Sequence, residues 1–514
     1  MSDKSKSKLS LIGLSLMIFT SVYGFNNIPR AFYKMGYAAI PWYIIAGLFY
    51  FLPFAFMITE MGSAFKNEKG GIYSWMEKAT NPTYALIGTF MWYASYIIWM
   101  VNTSSNIMVP IMTLLTGDST YTSKLAPWLL SLIAILWMLA INFVSSKGLK
   151  FIAKFTSIGG IAVLALNGLL LIGALLVLMK NGHPATAISL EAFYQTPAPD
   201  SLGTAGMLGA VSFMVYAVFA YGGVEVAGGL VDETENAEKN FPKGIVISAL
   251  VIALGYSLMI LMVGMFMDYS VDGQFMKDIL SSKVNLGTLS YYTIQQLGTF
   301  LVGPVLGDIF ARLMGLAMTL SMMGAFFTLS YSPIKQILAG TPKKLWPKRY
   351  SEFDTKTGMP LFAMKVQLVI AIFFIVLNVM LNLLGGAQGA KASEVFFAVL
   401  TNMTNVAMTL PYVMIIFAFI RFKFNDKIEK PFVIMTKPLA VCLAILAIVV
   451  VGFANLFTII QPIFQPEIAA PLPPIISTIS MMAGPVLFTL IALYLIYKYK
   501  KKYPEEYQKL NKID

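Results

Sequence analysis

The sequence predicts an all-α integral membrane protein of twelve transmembrane helices, ten of them forming two inverted repeats of five, with helices one and six broken and two helices added. Three observations predict this class. Hydrophobic residues make up 57% of the 514 positions and charged residues only 12%, about half the charged share of a soluble domain. Apolar runs of membrane length recur along the whole chain. The first and sixth of those runs are interrupted by glycine and polar residues at corresponding places.

Composition also excludes several classes. The formal net charge of +12 could suggest nucleic acid, but basic residues beside membrane spans report topology instead, so no nucleic-acid partner is expected. A single cysteine, Cys442, rules out an internal disulfide, and a single histidine, His183, cannot form a histidine-rich metal site. No metal or cofactor is expected. An enzyme would need a nucleophile–base pair or a metal cluster, and neither lone residue supplies one.

Residues 1–8 form a tail carrying Lys4, Lys6 and Lys8, ahead of a single transport domain over 9–497. Lysines before the apolar run 9–19 look like a secretory signal, but no small-x-small cleavage pattern precedes Asn26, Asn27, Pro29 and Arg30. The run therefore reads as a retained first span. A crossing helix needs about 20 apolar residues. Runs of that kind cover 9–32, 38–65, 83–115, 127–144, 151–179 and 204–231, then 243–267, 303–338, 360–384, 393–420, 437–460 and 471–497. Repeat one is about 9–179, repeat two about 204–420, the added pair about 437–497, and a basic tail follows over 498–514.

An even number of spans puts both termini on one side. With the termini in the cytoplasm, 29 lysines and arginines fall on that side, 7 fall opposite, and Arg312 lies within a span. That asymmetry predicts cytoplasmic termini.

The first break reads F-T-S-V-Y-G-F-N-N-I-P-R over 19–30, and the sixth reads F-A-Y-G-G-V-E-V-A-G-G-L over 219–230. In lipid, interrupted backbone is tolerated only where protein or a cavity surrounds it. An ionisable group at that depth, here Glu225, is a functional-site hypothesis by default. Five spans per group invert the second copy relative to the first, and paired breaks point to a site at the repeat interface. A broken helix presents free N–H groups from one half and free carbonyls from the other. Such a site suits an amino-acid backbone or an amine.

With these residues in view, the chain resembles the amino acid–polyamine–organocation transporter superfamily, over nearly its whole length. The motifs carrying the resemblance are Tyr221-Gly222-Gly223-Val224-Glu225, the acidic loop ending Glu238-Lys239-Asn240-Phe241-Pro242, and Glu60 with Gly70-Gly71-Ile72-Tyr73. Weaker pieces are Thr409-Leu410-Pro411-Tyr412 and Gly358-Met359-Pro360. Within the superfamily it is most similar to the glutamate/γ-aminobutyrate antiporter branch, especially bacterial inner-membrane transporters of the YjeM type, through stretches such as Ile18-Phe19-Thr20-Ser21-Val22-Tyr23-Gly24-Phe25.

The resemblance implies the LeuT-like fold and exchange of amino acids or their amines by alternating access, with protons as a further coupling partner. Rival readings are agmatine–putrescine-like amine exchange and proton-coupled neutral amino acid uptake. It implies substrate contacts from Ser21, Val22, Tyr23 and Gly24 in the first break, from Phe219, Ala220 and Tyr221 in the sixth, and from Trp99. Phe219 and Phe326 would be gates, although membrane aromatics commonly just pack. Glu225 would couple to protons, or else tie the broken helices together structurally. The first break departs from the pattern: many members carry Gly-Ser-Gly where this chain has Val22-Tyr23-Gly24, which favours substrates lacking a carboxylate. Span five carries no charge over 156–177, so a lysine used in place of sodium by some relatives is missing.

Remaining features have simpler readings. Asp308 and Arg312 lie four apart on one helix face and are expected to form a structural ion pair. The acids over 232–238 would cap span seven ahead of Pro242, or join an inner gate with Lys150 or Lys154 as partners. Glu60 and Gly70-Gly71 would scaffold the inner loops, and residues 285–299 would form an external surface helix.

Overall fold

The computed structural model describes residues 8–195, 206–270, 272–281, 284–384 and 386–511. Nineteen α-helices occur among them. In order they are α1 (Leu11–Val22), α2 (Asn27–Met35), α3 (Ala39–Ala46), α4 (Leu52–Ala64), α5 (Ile72–Ala79), α6 (Pro82–Ser104) and α7 (Met108–Thr116). Next come α8 (Pro127–Ser145), α9 (Leu149–Asn181), α10 (Gly206–Phe219), α11 (Ala237–Val263), α12 (Gln274–Leu280) and α13 (Leu289–Leu301). The series ends with α14 (Pro304–Gly340), α15 (Leu361–Leu384), α16 (Gly386–Phe424), α17 (Lys437–Phe464), α18 (Pro474–Lys502) and α19 (Pro504–Asn511). Local chemistry sets many ends. Ser10 caps α1 by accepting from the Gly13 N–H at 3.2 Å, and Asn81 caps α6 through the Tyr84 N–H at 2.9 Å, with Pro82 following.

Eleven segments among the described residues are long and apolar enough to cross a membrane. One of them, Leu11–Ala64, has 54 residues, which as a straight helix would reach about 80 Å, far beyond the ~30 Å hydrocarbon core. It is not straight: the chain leaves the helix between α1 and α2 and turns again over Gly36–Ala38. A π-helical turn, Gly47–Phe51, joins α3 to α4.

Helix α6 packs on α16, α9 on α14, α4 on α11 and α8 on α15. Short α5 sits against α6 and α16, while α13 sits against α14 and α9. The α9–α14 contact depends on Gly159, where an added Cβ would lie 2.5 Å from the Leu320 carbonyl oxygen; small residues allow such approaches in membranes. Helices α17 and α18 pack against each other and on α16, with α18 also on α6 and α17 on α10. Large apolar side chains such as Phe143, Ile161, Phe373, Val449 and Leu490 are exposed on the outer helices, as expected of surfaces facing lipid.

Several elements differ from the sequence expectation. The third apolar run is not one helix, because the chain turns after Ser104 and restarts as α7. Helix α11 begins at Ala237, so Pro242 lies inside it rather than in its first turn. The expected surface helix is α13, but Leu289, Tyr291, Ile294 and Leu297 are buried, so it is tucked into the bundle.

One buried ion pair ties three distant segments. Glu60 on α4 meets Lys423 on α16 at 2.5 Å, with side chains 0% and 3% exposed. Its second oxygen accepts the backbone N–H groups of Ile434 and Met435 at 2.9 and 2.8 Å. Replacing Lys423 with Met leaves a buried carboxylate unpaired and should cost about 3–5 kcal/mol. Thermal unfolding of the detergent-solubilised protein should show a large fall in midpoint for Lys423→Met, and partial recovery when Glu60→Gln is added.

Candidate functional site

Two backbone interruptions meet in the middle of the bundle. The first separates α1 from α2 at residues 23–26, and the second separates α10 from the 3-10 turn Val224–Leu230. Gly223 makes their contact possible: its φ is +120°, and an added Cβ would sit 2.5 Å from the Ser21 carbonyl oxygen. Any other residue would be both strained and in collision there.

A residue from α11 joins the two breaks. The Tyr256 hydroxyl accepts the Gly24 N–H at 2.9 Å and the Asn27 side-chain N–H at 3.3 Å. It lies 3.1 Å from the Ala220 carbonyl and 3.4 Å from that of Val22, either of which accepts its single proton. Broken helix ends leave such groups orphaned, and one hydroxyl answers several of them. Around it, Tyr23 stacks on Tyr256 with ring centroids 4.6 Å apart, and Tyr221 meets Tyr256 edge-on at 5.2 Å.

The predicted substrate residues divide by exposure. Ser21, Gly24, Phe219, Ala220 and Trp99 are half-buried, whereas Val22, Tyr23 and Tyr221 are buried. Tyr23 donates its hydroxyl proton to Asn167 Oδ1 on α9 at 2.7 Å, and Tyr221 donates to the Tyr43 carbonyl at 3.1 Å. These two side chains are therefore committed to the surrounding shell. Phe326 is fully buried between Trp99, at 5.5 Å, and Trp137, at 5.9 Å.

Glu225 is a buried acceptor hub just past the second break. One oxygen receives the Trp92 indole N–H at 2.9 Å and the hydroxyls of Tyr96 and Tyr412 at 3.0 and 3.2 Å. The other receives the Gly223 N–H at 3.1 Å. Helices α6 and α16 are thus tied to the broken segment through one carboxyl group.

On the side of the bundle where Leu9 and Tyr503 lie, the 3-10 turn is locked to α14. Ser332 donates to the Val226 carbonyl at 2.6 Å, and Gln336 accepts the Ile72 N–H of α5 at 2.8 Å. Lys335, 3% exposed, binds Asp232 at 2.7 Å, Glu233 at 3.0 Å and the Gly229 carbonyl at 2.9 Å. Leu9 then pairs its backbone with Glu233 and Glu235, each at 2.8 Å. The acidic loop therefore has Lys335 as its partner, and Lys66 pairs with Glu238 at 2.6 Å, in place of the expected Lys150 and Lys154. Beside this cluster lies a cavity of about 1240 Å³, lined by residues including Lys69, Lys335, Trp346 and Tyr503.

Asp308 and Arg312 pair at 2.8 Å, and Arg312 also donates to the Leu114 and Leu115 carbonyls at 3.2 and 2.5 Å. The guanidinium thus caps the C-terminal end of α7. With exposures of 38% and 47%, the pair is only partly buried. No cluster of metal-ligating side chains occurs among the described residues.

Sequence reasoning missed Tyr256 and Lys335. Tyr256 lies between Gly255 and Ser257 in an otherwise apolar run, and Lys335 reads only as a topological charge. The partners of Glu225, Trp92 and Tyr96, lie four apart on α6, a helical spacing that could have signalled one shared contact.

Paired helix interruptions enclosed in an apolar helical bundle, with an acid hub and a buried ion-pair cluster beside them, are features of a membrane transporter. The chain belongs to the amino acid permease family, which it matches over residues 9–484. It is 45% identical over 508 residues to the inner membrane transporter YjeM of Escherichia coli (strain K12), covering 96% of each chain. It is 24% identical over 426 residues to the aspartate/glutamate permease AcaP of Lactococcus lactis subsp. cremoris, covering 80% of this chain and 79% of that one. A glutamate/gamma-aminobutyrate antiporter of the same organism is 24% identical over 255 residues, covering 49% and 48%.

Replacing Glu225 with Gln sets an amide against donors that a carboxylate satisfies. Losing one or two charge-assisted bonds should slow transport about tenfold or more, while Tyr412→Phe, which removes one donor, should cost less. Transport rates in proteoliposomes check the ordering, and a Glu225→Gln rate equal to that of the parent contradicts the hub.

Proposed function

We propose that the chain exchanges an amino acid for a related amine, in the manner of glutamate for γ-aminobutyrate, by alternating access across a bacterial inner membrane. The observation that carries this reading is the meeting of two mid-bundle breaks through Tyr256, since paired broken helices mark a substrate site at a repeat interface. The names of the distant relatives, an aspartate/glutamate permease and a glutamate/gamma-aminobutyrate antiporter, agree with that substrate class.

Twelve spans follow if Leu11–Ala64 crosses twice, as its length requires. Two inverted repeats of five account for the packing: α6 on α16 matches α14 on α9, and α5 against α6 and α16 matches α13 against α14 and α9. Both members of each match are related by a shift of five spans. The basic face is assigned to the cytoplasm by the lysine and arginine asymmetry. In the exchange cycle, Ser21, Gly24, Phe219, Ala220 and Trp99 contact substrate, with Val22, Tyr23 and Tyr221 shaping the wall. Phe219 and Phe326 act as gates and Glu225 as the proton-responsive latch. The Lys335 cluster closes the cytoplasmic side. A second reading, exchange between two amines, is favoured by the single glycine of the first break, whose N–H is already engaged.

Counterflow tests the class directly. Proteoliposomes preloaded with unlabelled glutamate or γ-aminobutyrate should accumulate the labelled partner, and empty vesicles should not. Uptake that ignores internal substrate and follows an imposed pH gradient would favour proton-coupled uptake instead.

Acidity should act on the seal. Burial holds the Asp232 carboxyl above its ordinary value of 3.8, against the pull of Lys335. A group that binds its proton more tightly in the sealed state makes proton binding favour that state. Sealing should therefore strengthen as pH falls from the raised value toward 3.8, and weaken as pH rises through that window. Release on the basic side should slow on acidification, and Asp232→Asn should flatten that part of the pH profile.

A further inference from the structure

At the first break the N–H groups of Gly24, Asn27 and Ile28 are spent internally, and an acceptor stays open. A helix that starts after a break normally offers unpaired N–H groups to an anion. Here the Asn27 and Ile28 N–H groups turn back onto the Gly24 and Phe25 carbonyls at 2.8 and 3.1 Å. The Gly24 N–H and the Asn27 side-chain N–H both go to the Tyr256 hydroxyl, at 2.9 and 3.3 Å. With two bonds accepted and its proton directed at the Ala220 or Val22 carbonyl, that hydroxyl has no capacity left. By contrast, Asn26 Oδ1 is buried at the same break with no partner among the described residues. A buried acceptor without a partner costs about 1–3 kcal/mol, which a ligand N–H would recover.

We infer that Tyr256 is a specificity-determining residue whose hydroxyl occupies the Gly24 N–H at the first break, so that the site recognises its substrate through an ammonium group and discriminates against an α-carboxylate. This rests on the reading that the two breaks form the substrate site. The orientation of the tyrosine is fixed on both sides: its ring stacks on Tyr23 and lies 5.1 Å from Tyr43, while its hydroxyl spans both breaks. An α-carboxylate must displace the hydroxyl to reach the Gly24 N–H. An ammonium group meets Asn26 Oδ1 and carbonyl oxygens without displacing anything.

The test uses the full chain and the variant Tyr256→Phe, which keeps the ring and removes the hydroxyl. Matched pairs differing only by the α-carboxylate serve as probes: glutamate with γ-aminobutyrate, lysine with cadaverine, arginine with agmatine. Half-saturation is measured for each member in proteoliposomes. Separately, acetate replaces chloride during thermal unfolding of the solubilised protein. The wild type should favour the decarboxylated member of the pair it carries. Tyr256→Phe should shift that ratio about tenfold toward the amino acid, the worth of one charge-assisted bond, and should gain an acetate-dependent stabilisation that the wild type lacks. An unchanged ratio without an acetate effect overturns the assignment. So does a wild type that prefers the α-carboxylate member, and this comparison stands even if the variant fails to fold. Acetate stabilisation in the variant with no pair transported by either protein supports the role of Tyr256 and overturns the exchange reading alone.

Discussion

Two interruptions of backbone hydrogen bonding inside an apolar bundle are the constraint that the rest of this structure answers. Each broken end strands N–H and C=O groups in an apolar bundle, and an unpaired buried group costs free energy comparable to a lost hydrogen bond. Tyr256 repairs both interruptions with one hydroxyl. Glu225 takes the Gly223 N–H, and Ser332 and Lys335 take carbonyls of the following turn. Satisfying the breaks from α11, α14 and the broken segment itself is what brings these helices to one point.

The same bonds give the bundle two distinct regions. Around Glu225 the partners are indole, phenol and backbone donors from α6 and α16, so a change of charge or position at one carboxyl is felt by both helices. Around Lys335 the partners are carboxylates on a loop, joined by the backbone of Leu9. A cluster of that kind can open without unfolding any helix. Packed cores favour discrete arrangements over gradual deformation, which suits the alternating access proposed above.

Much of the architecture was legible in the sequence because lipid imposes simple rules. Apolar runs located the long helices, and Gly222, Gly223 and Glu225 marked the second break. What lay hidden depended on side-chain partners across long sequence separations. Tyr256 reads as one more aromatic in an apolar run until the fold carries it 232 residues back to Gly24. Lys335 reads as a topological charge until Asp232 and Glu233 enclose it. Helix α13 failed as a surface helix because its apolar face had α9 and α14 to bury against, a partner that periodicity alone cannot supply. The turn after Ser104 escaped notice since no proline or glycine stands at 105–107.

Access to the meeting point of the breaks is the property on which the account turns. Ala220 is half-buried there, and its replacement by cysteine in a Cys442→Ser background gives one reporter in sealed, oriented vesicles. Modification by a membrane-impermeant thiol reagent, applied to either face with and without exchange substrate, measures that access. The account predicts reciprocity: conditions that raise labelling from one face lower it from the other. Labelling that rises from both faces together, or that ignores substrate, would contradict it.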